Sequence, residues 1–140
     1  MSIELATIAK DVNGSLPERK IVALIERTNL SADMKALLHD LTKITVKVGS
    51  TILAIGRKIL TFVFDLLKAF PAMAFGVLVA LVLTALVGAI PIIGAAVASF
   101  LSGILLLLGM GAGAVKDLSN PNINEKINDL VGSFSALIEV

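Results

Sequence analysis

The chain lacks several residue types on which particular chemistries depend. It has no cysteine, tryptophan or tyrosine, and it has one histidine, His39, in 140 residues. Without cysteine there are no disulfide bonds and no thiol chemistry, and one histidine cannot supply the several ligands of a metal site. Neither a phosphate-binding glycine loop nor a serine-nucleophile motif occurs. The sequence therefore gives no basis for an enzyme, and we expect no cofactor and no metal.

Charge is scarce and unevenly distributed. Charged residues make up 16% of the chain, apolar residues 56%, and the net charge is +1. No basic field is available to hold phosphate backbones, so we expect no nucleic-acid partner. Residues 69–115 contain no Asp, Glu, Lys, Arg or His at all. This uncharged segment is the main feature of the sequence.

The uncharged segment 69–115 predicts a transmembrane helical hairpin. A hydrocarbon core about 30 Å thick requires roughly 20 helical residues per crossing, and residues 69–87 and 95–115 are each about that long. The intervening residues 88–94 contain glycine and proline and predict the turn. We therefore expect an all-α integral membrane protein. A soluble helical protein with a deeply buried hairpin is the alternative.

The distribution of basic residues predicts the topology. Most Lys and Arg residues precede the uncharged segment, two lysines follow it, and the turn has none. The positive-inside rule then places both termini in the cytoplasm, with the protein in the inner membrane if the cell is bacterial. The turn either crosses the bilayer or stays within it as a re-entrant loop.

Small residues recur at helical spacing in both apolar segments. They permit close backbone approach, which favours helix association in membranes. We expect them to pack the hairpin against itself, or one copy against another in a homo-oligomer. The absence of ionisable groups argues against proton-coupled transport. The predicted packing positions are Gly76, Ala80, Thr84, Gly88, Ala95, Ser99, Gly103, Gly109 and Gly113.

Residues 31–68 predict a basic amphipathic helix that precedes the hairpin. Ser31 is the expected N-cap, and Phe70-Pro71 marks the end. Residues 44–49 alternate with the period of a strand, but a strand without a partner is unstable, so we predict helix there too. The polar stripe contacts lipid headgroups or lines a pore. Its basic residues are Lys43, Lys47, Arg57, Lys58 and Lys68.

The two ends of the chain predict short cytoplasmic helices. Residues 1–30 contain two of them, the second introduced by a capping box at Ser15 to Glu18. Residues 116–140 predict a C-terminal amphipathic helix, with Asn120 as the cap and Pro121 at its first position. Their apolar faces pack together as a cytoplasmic cap, and a cytoplasmic protein partner is possible.

The arrangement of an apolar hairpin with amphipathic flanks resembles the pore-forming part of colicins. Its two crossings with both ends inside resemble one class of phage holins. Both resemblances concern architecture, since no residue motif carries them. We therefore expect a small oligomeric membrane protein that forms a poorly selective pore or permeabilises the membrane, with membrane lipid as its partner. The alternatives are a structural membrane subunit, such as a hairpin filament or an anchor for a partner, and a soluble colicin-like protein that inserts its hairpin.

Overall fold

The computed structural model describes residues 14–139, which form a mostly helical structure with one small β-hairpin. The described part of the chain is mostly helical, as predicted, but the β-hairpin was not predicted. The helix predicted near residues 2–12 lies outside the described residues. In chain order the elements are α1 Glu18–Glu26, α2 Ala32–Thr42, β1 Val46–Val48, β2 Thr51–Leu53, α3 Ile55–Ala69, α4 Phe75–Ala89, α5 Pro91–Leu108, α6 Ala112–Lys116 and α7 Pro121–Glu139.

Two of the three predicted helix caps are confirmed. The Ser31 hydroxyl accepts a hydrogen bond from the Met34 amide at 3.2 Å, and the Asn120 side chain accepts one from Ile123 at 2.9 Å. The prediction of a capping box at Ser15 is wrong, because α1 begins only after Pro17 and its N-terminus has no side-chain cap. A residue that precedes proline is disfavoured in helical conformation, so the helix cannot begin at position 16.

The continuous helix predicted over residues 31–68 is wrong. It is interrupted after Thr42 by an antiparallel β-hairpin in which Val46 pairs with Leu53 and Val48 with Thr51. The period-two pattern does indicate a strand here, and its partner is the β-branched segment that follows directly. The turn between the strands includes Gly49 at φ 61°, a left-handed conformation that favours glycine. Val46 and Leu53 are buried, which ties the hairpin to the core.

The junction between the two apolar helices is much shorter than predicted. α4 runs to Ala89 and α5 begins at Pro91, so Ile90 alone separates them and the expected turn over 88–94 is wrong. Proline fits the first position of a helix because its missing N–H would have no partner there. The helix therefore resumes at Pro91 instead of being broken by it. The end of α3 at Phe70 and Pro71 agrees with the prediction.

Helix α4 is the centre of the fold. It contacts α3, α5, α6 and α7, whereas α2 and β1 contact α5. The rings of Phe64 and Phe75 stack at 4.5 Å and join α3 to the start of α4. The apolar side of α7 is buried, through Ile123, Ile127, Leu130 and Phe134. The amphipathic helices thus enclose α4 with their apolar sides.

Candidate membrane-contacting surface

Helix α5 combines high hydropathy with an open position in the fold. Its 18 residues have a mean hydropathy of 2.3, and only 22% of them are buried inside the molecule. Leu106 is 82% exposed, and Ile92 and Leu107 are 43% and 42% exposed. An apolar face of this length, left open, is a feature of surfaces that meet a membrane or another protein. Among the described residues, α5 is the one helix long and apolar enough to cross a membrane.

Helix α4 is as apolar as α5 but is enclosed. Ten of its residues are buried, including Leu78, Val79 and Leu83. At 15 residues it measures about 22 Å, which is shorter than a hydrocarbon core of about 30 Å. In this fold α4 is therefore a core helix, exposed only at its C-terminal end.

The small residues of α4 lie in different surroundings. A Cβ at Gly76 would lie 3.3 Å from Leu108 Cδ2 and 3.5 Å from Met34 Cε. This glycine therefore lies where the start of α4 meets the end of α5 and the start of α2. Ala80 is fully buried. The Thr84 hydroxyl donates to the Ala80 carbonyl at 2.7 Å, and Gly88 is exposed. The first half of this predicted stripe packs within the bundle, and the second half does not.

The small residues of α5 and beyond also divide. Ala95 and Ser99 are exposed on the open face of α5. Gly103 faces α2, where an added Cβ would lie 3.0 Å from Leu37 Cδ2. Gly109 and Gly113 would meet nothing within 4 Å, and Gly109 has φ 67° and ends α5. These nine positions therefore do not form one packing surface inside the molecule.

The five predicted basic residues do not form one stripe, because the helix that would have aligned them is interrupted. Lys43 follows α2, Lys47 is on β1, and both are exposed. The Arg57 guanidinium on α3 donates to the carbonyls of Leu16 and Ser15, each at 2.9 Å. Arg57 is thus a structural clamp on the segment before α1.

The other two basic residues belong to α3. Lys58 is half-buried near its start, next to Arg57. Lys68 is near its end, 83% exposed, and its Nζ lies 3.9 Å from Asp65 Oδ1. An exposed pair of this kind contributes little to stability. A single helix that would line a pore with all five cations is therefore not present in this fold.

Sequence reasoning missed two glycines that the packing requires. A Cβ on Gly94 would lie 3.1 Å from the Val87 Cα and carbonyl oxygen, which makes Gly94 the contact between α4 and α5 next to their junction. A Cβ on Gly56 would overlap the Leu41 carbonyl oxygen. The sequence pattern places Gly94 in the predicted turn and predicts no more than a kink at Gly56. No local pattern distinguishes such a glycine from its neighbours, because the contact forms only when one element packs against another.

One cavity of about 410 Å³ opens onto the central helix. Thr84 and Ala85 of α4 line it, together with the polar side chains of Lys116, Asn124 and Asn128. It is the place where α6 and α7 leave a gap over α4. The remaining lining residues are Leu81, Ser119 and Ile127.

The single histidine has a structural contact. His39 Nε2 lies 3.0 Å from Glu26 Oε1, and Lys35 Nζ donates to the Glu26 carbonyl at 3.2 Å, so α2 is joined to the end of α1. Within residues 14–139, no three His, Cys, Asp or Glu side chains are grouped so as to hold a metal ion.

Comparison with known proteins gives no family assignment. No protein-family model, no curated protein and no solved structure matches the chain. What can be said of its function therefore rests on the exposed helix α5, the enclosed helix α4 and the charges around them.

Proposed function

We propose that this protein inserts into membranes and permeabilises them, and that the compact bundle is the form that precedes insertion. The observation that carries the proposal is the contrast between two uncharged helices joined by a single residue. One, α4, is enclosed by amphipathic helices, and the other, α5, is open to the surroundings. Burying apolar surface away from water is favourable by about 25 cal/mol per Å², so the open face of α5 favours contact with a bilayer.

Crossing the bilayer requires α4 and α5 to separate from their neighbours. α2 packs beside α5 and carries Asp33 and Asp40 on its exposed side. A charged residue at the centre of a membrane costs about 2.5 kcal/mol or more. The compact bundle cannot carry these charges across, so in the proposed mechanism the α4–α5 pair enters and the charged helices stay at the surface. Both termini then remain on one side, the cytoplasmic side if the positive-inside rule holds.

The permeable state is proposed to be a homo-oligomer. Two apolar helices from one chain cannot enclose a water-filled path, and the exposed Ala95 and Ser99 on α5 offer a close approach for another copy. With no charged residue in either helix, a pore built from them would discriminate poorly among ions. This is the poorly selective pore or permeabilising protein that we expect from the sequence.

One observation favours a second function, that of a membrane anchor or structural subunit. α4 has 15 residues, about 22 Å of helix, and is short for a full crossing. If α4 remains in the bundle, α5 lies in the plane of the interface and holds the rest of the protein for a partner. The two functions differ in whether residues at the α4–α5 junction reach the far side of the bilayer.

The test uses the absence of cysteine, which allows single-cysteine labelling without background. Ala89→Cys places a thiol at the exposed end of α4, and Ser133→Cys places the control thiol on the exposed side of α7. Each variant is added to vesicles that contain a small dye and a thiol reagent coupled to a polymer too large to pass the pore, so that the reagent stays in the lumen when the dye is released. We expect dye release, with Ala89→Cys labelled from the lumen and Ser133→Cys labelled only by reagent added outside. Dye-tight vesicles with both thiols reactive from outside would refute insertion and support the anchor.

A further inference from the structure

The β-hairpin belongs to a stretch of chain with charge of one sign. Residues 41–64 contain no aspartate or glutamate, and their four charged residues are all basic. Two of these, Lys58 and Arg57, are partly buried at the start of α3, and Arg57 is engaged with backbone carbonyls. The other two are exposed: Lys43 lies just before the hairpin and Lys47 lies on β1. The hairpin therefore presents positive charge with no carboxylate in its own sequence.

The strand register separates an inner from an outer face of this hairpin. Val46 and Leu53 pair with each other and are 8% and 1% exposed, so they face the core. Lys47 pairs with Ile52, and alternation along the strands places both on the opposite face. Ile52 is 60% exposed, so a large apolar side chain lies on this outer face. We call Lys43, Lys47 and Ile52 the hairpin patch.

The hairpin patch lies beside the exposed helix. β1 contacts α5, and α2, which ends at the patch, packs along α5 as well. An exposed isoleucine paired with a lysine, next to an open apolar helix, has the composition of surfaces that lie at a membrane interface, where cations meet headgroups and apolar side chains enter the acyl boundary. A nucleic-acid surface would need a larger cluster of cations than these two lysines.

We propose that the hairpin patch docks this protein on bilayers that contain anionic phospholipid. The ammonium groups of Lys43 and Lys47 contact lipid phosphates, Ile52 enters the boundary between headgroups and acyl chains, and the contact places α5 against the bilayer. This inference rests on the proposed membrane function and names the lipid class that it requires. The exposed side of α7 carries Glu125, Lys126 and Asp129, with a net charge of −1, and would not attract the same surface.

The test is co-sedimentation with vesicles of phosphatidylcholine, with and without one-third phosphatidylglycerol. We expect the native chain to bind the anionic vesicles at least tenfold more tightly, with an advantage that declines as salt is added. The double variant Lys43→Gln/Lys47→Gln should bind them roughly thirtyfold more weakly, on the basis of about 1 kcal/mol per lysine near an anionic surface. Ile52→Ser should weaken binding to both vesicle types.

The matched control removes the same net charge elsewhere. Lys20→Gln/Lys126→Gln replaces exposed lysines on α1 and α7 and should change binding by about twofold or less. Equal losses in the two double variants, or equal binding of the native chain to neutral and anionic vesicles, would overturn the docking proposal. The insertion proposal is judged separately, by lumenal labelling of Ala89→Cys at protein concentrations high enough to saturate either vesicle.

Discussion

Individual glycines have two distinct uses in this fold. Gly56 and Gly94 allow backbone segments to approach each other, and a side chain at either position would meet main-chain atoms. Gly49 and Gly109 instead have positive φ with open space around them. The predicted packing stripes include a glycine of the second kind, Gly109, as a contact. Comparison of alanine with asparagine distinguishes the two uses, because asparagine tolerates the left-handed conformation but does not relieve steric overlap.

We predict that Gly56→Ala destabilises the fold by about 2 kcal/mol or more. The new Cβ would overlap the Leu41 carbonyl oxygen and lie 3.1 Å from the Thr42 carbonyl carbon, so backbone must move. The shift would also stretch the hydrogen bond from the Gly56 amide to the Ile44 carbonyl, now 3.0 Å. The measurement is urea unfolding followed by far-UV circular dichroism.

Gly132→Ala is the control for this prediction. Gly132 lies in α7, is exposed, and has nothing within 4 Å of an added Cβ. There alanine should stabilise the protein by about 0.5–1 kcal/mol through its higher helix propensity. If Gly56→Ala is as stable as the native chain, the close approach between α3 and the end of α2 is wrong.

Helix ends that depend on local chemistry could be predicted from the sequence, whereas features that depend on distant contacts could not. Ser31 and Asn120 cap their helices as expected, since a cap involves residues only three positions apart. The period-two pattern at Val46 indicates a strand, but the pairing with Leu53 and the burial against the core that stabilise this strand do not follow from that pattern. The turn was overestimated because proline ends helices but also begins them.

The C-terminal end of α5 gives a prediction at the scale of one element. Gly109 donates to the Leu106 carbonyl and Met110 to the Leu105 carbonyl, each at 3.1 Å, which is the Schellman arrangement that terminates helices. Gly109→Ala should cost about 1 kcal/mol despite the free space, because alanine resists the left-handed conformation. Gly109→Asn should cost less, since asparagine tolerates it.

Thermal unfolding of both variants, together with Gly113→Ala, provides the measurement. Gly113 lies in α6 without positive φ, and an added Cβ would have open space, so alanine there should raise stability by up to about 1 kcal/mol through its higher helix propensity. The native chain should be more stable than Gly109→Asn, and Gly109→Asn more stable than Gly109→Ala. If Gly109→Ala proves as stable as the native chain, that result would contradict a left-handed cap at Gly109.

At the scale of the whole molecule, the two apolar helices are unequal, and the sequence could not show which is inside. Both are uncharged, so the sequence pattern shows no charged face on either helix that would mark its outer side. Their positions are set by which amphipathic faces cover them. α3, α6 and α7 contact α4, whereas α2 and β1 contact α5 and leave much of it open. The five basic residues are likewise dispersed by an interruption that no charge pattern predicts.

The difference in burial between α4 and α5 predicts different effects for the same substitution at two sites. Val79 is fully buried at the centre of the fold, so Val79→Asp would bury a carboxylate without a partner and should unfold the bundle or destabilise it by more than about 4 kcal/mol. Ala98 is exposed in the middle of α5, so Ala98→Asp should leave the melting temperature nearly unchanged. In a membrane-inserted α5, however, the same aspartate would cost about 2.5 kcal/mol or more. We therefore expect Ala98→Asp to fold normally and to release much less dye from vesicles.

Ala98→Ser is the control, because it adds a small polar group at the same site without charge. It should fold and release dye almost as the native chain does. If Ala98→Asp unfolds the protein, the open position of α5 is wrong. If it folds and permeabilises vesicles as well as Ala98→Ser does, the middle of α5 does not enter the hydrocarbon core. An enclosed α4 and a surface-bound α5 would then describe the membrane-bound state as well as the compact one, which is the arrangement expected of an anchor.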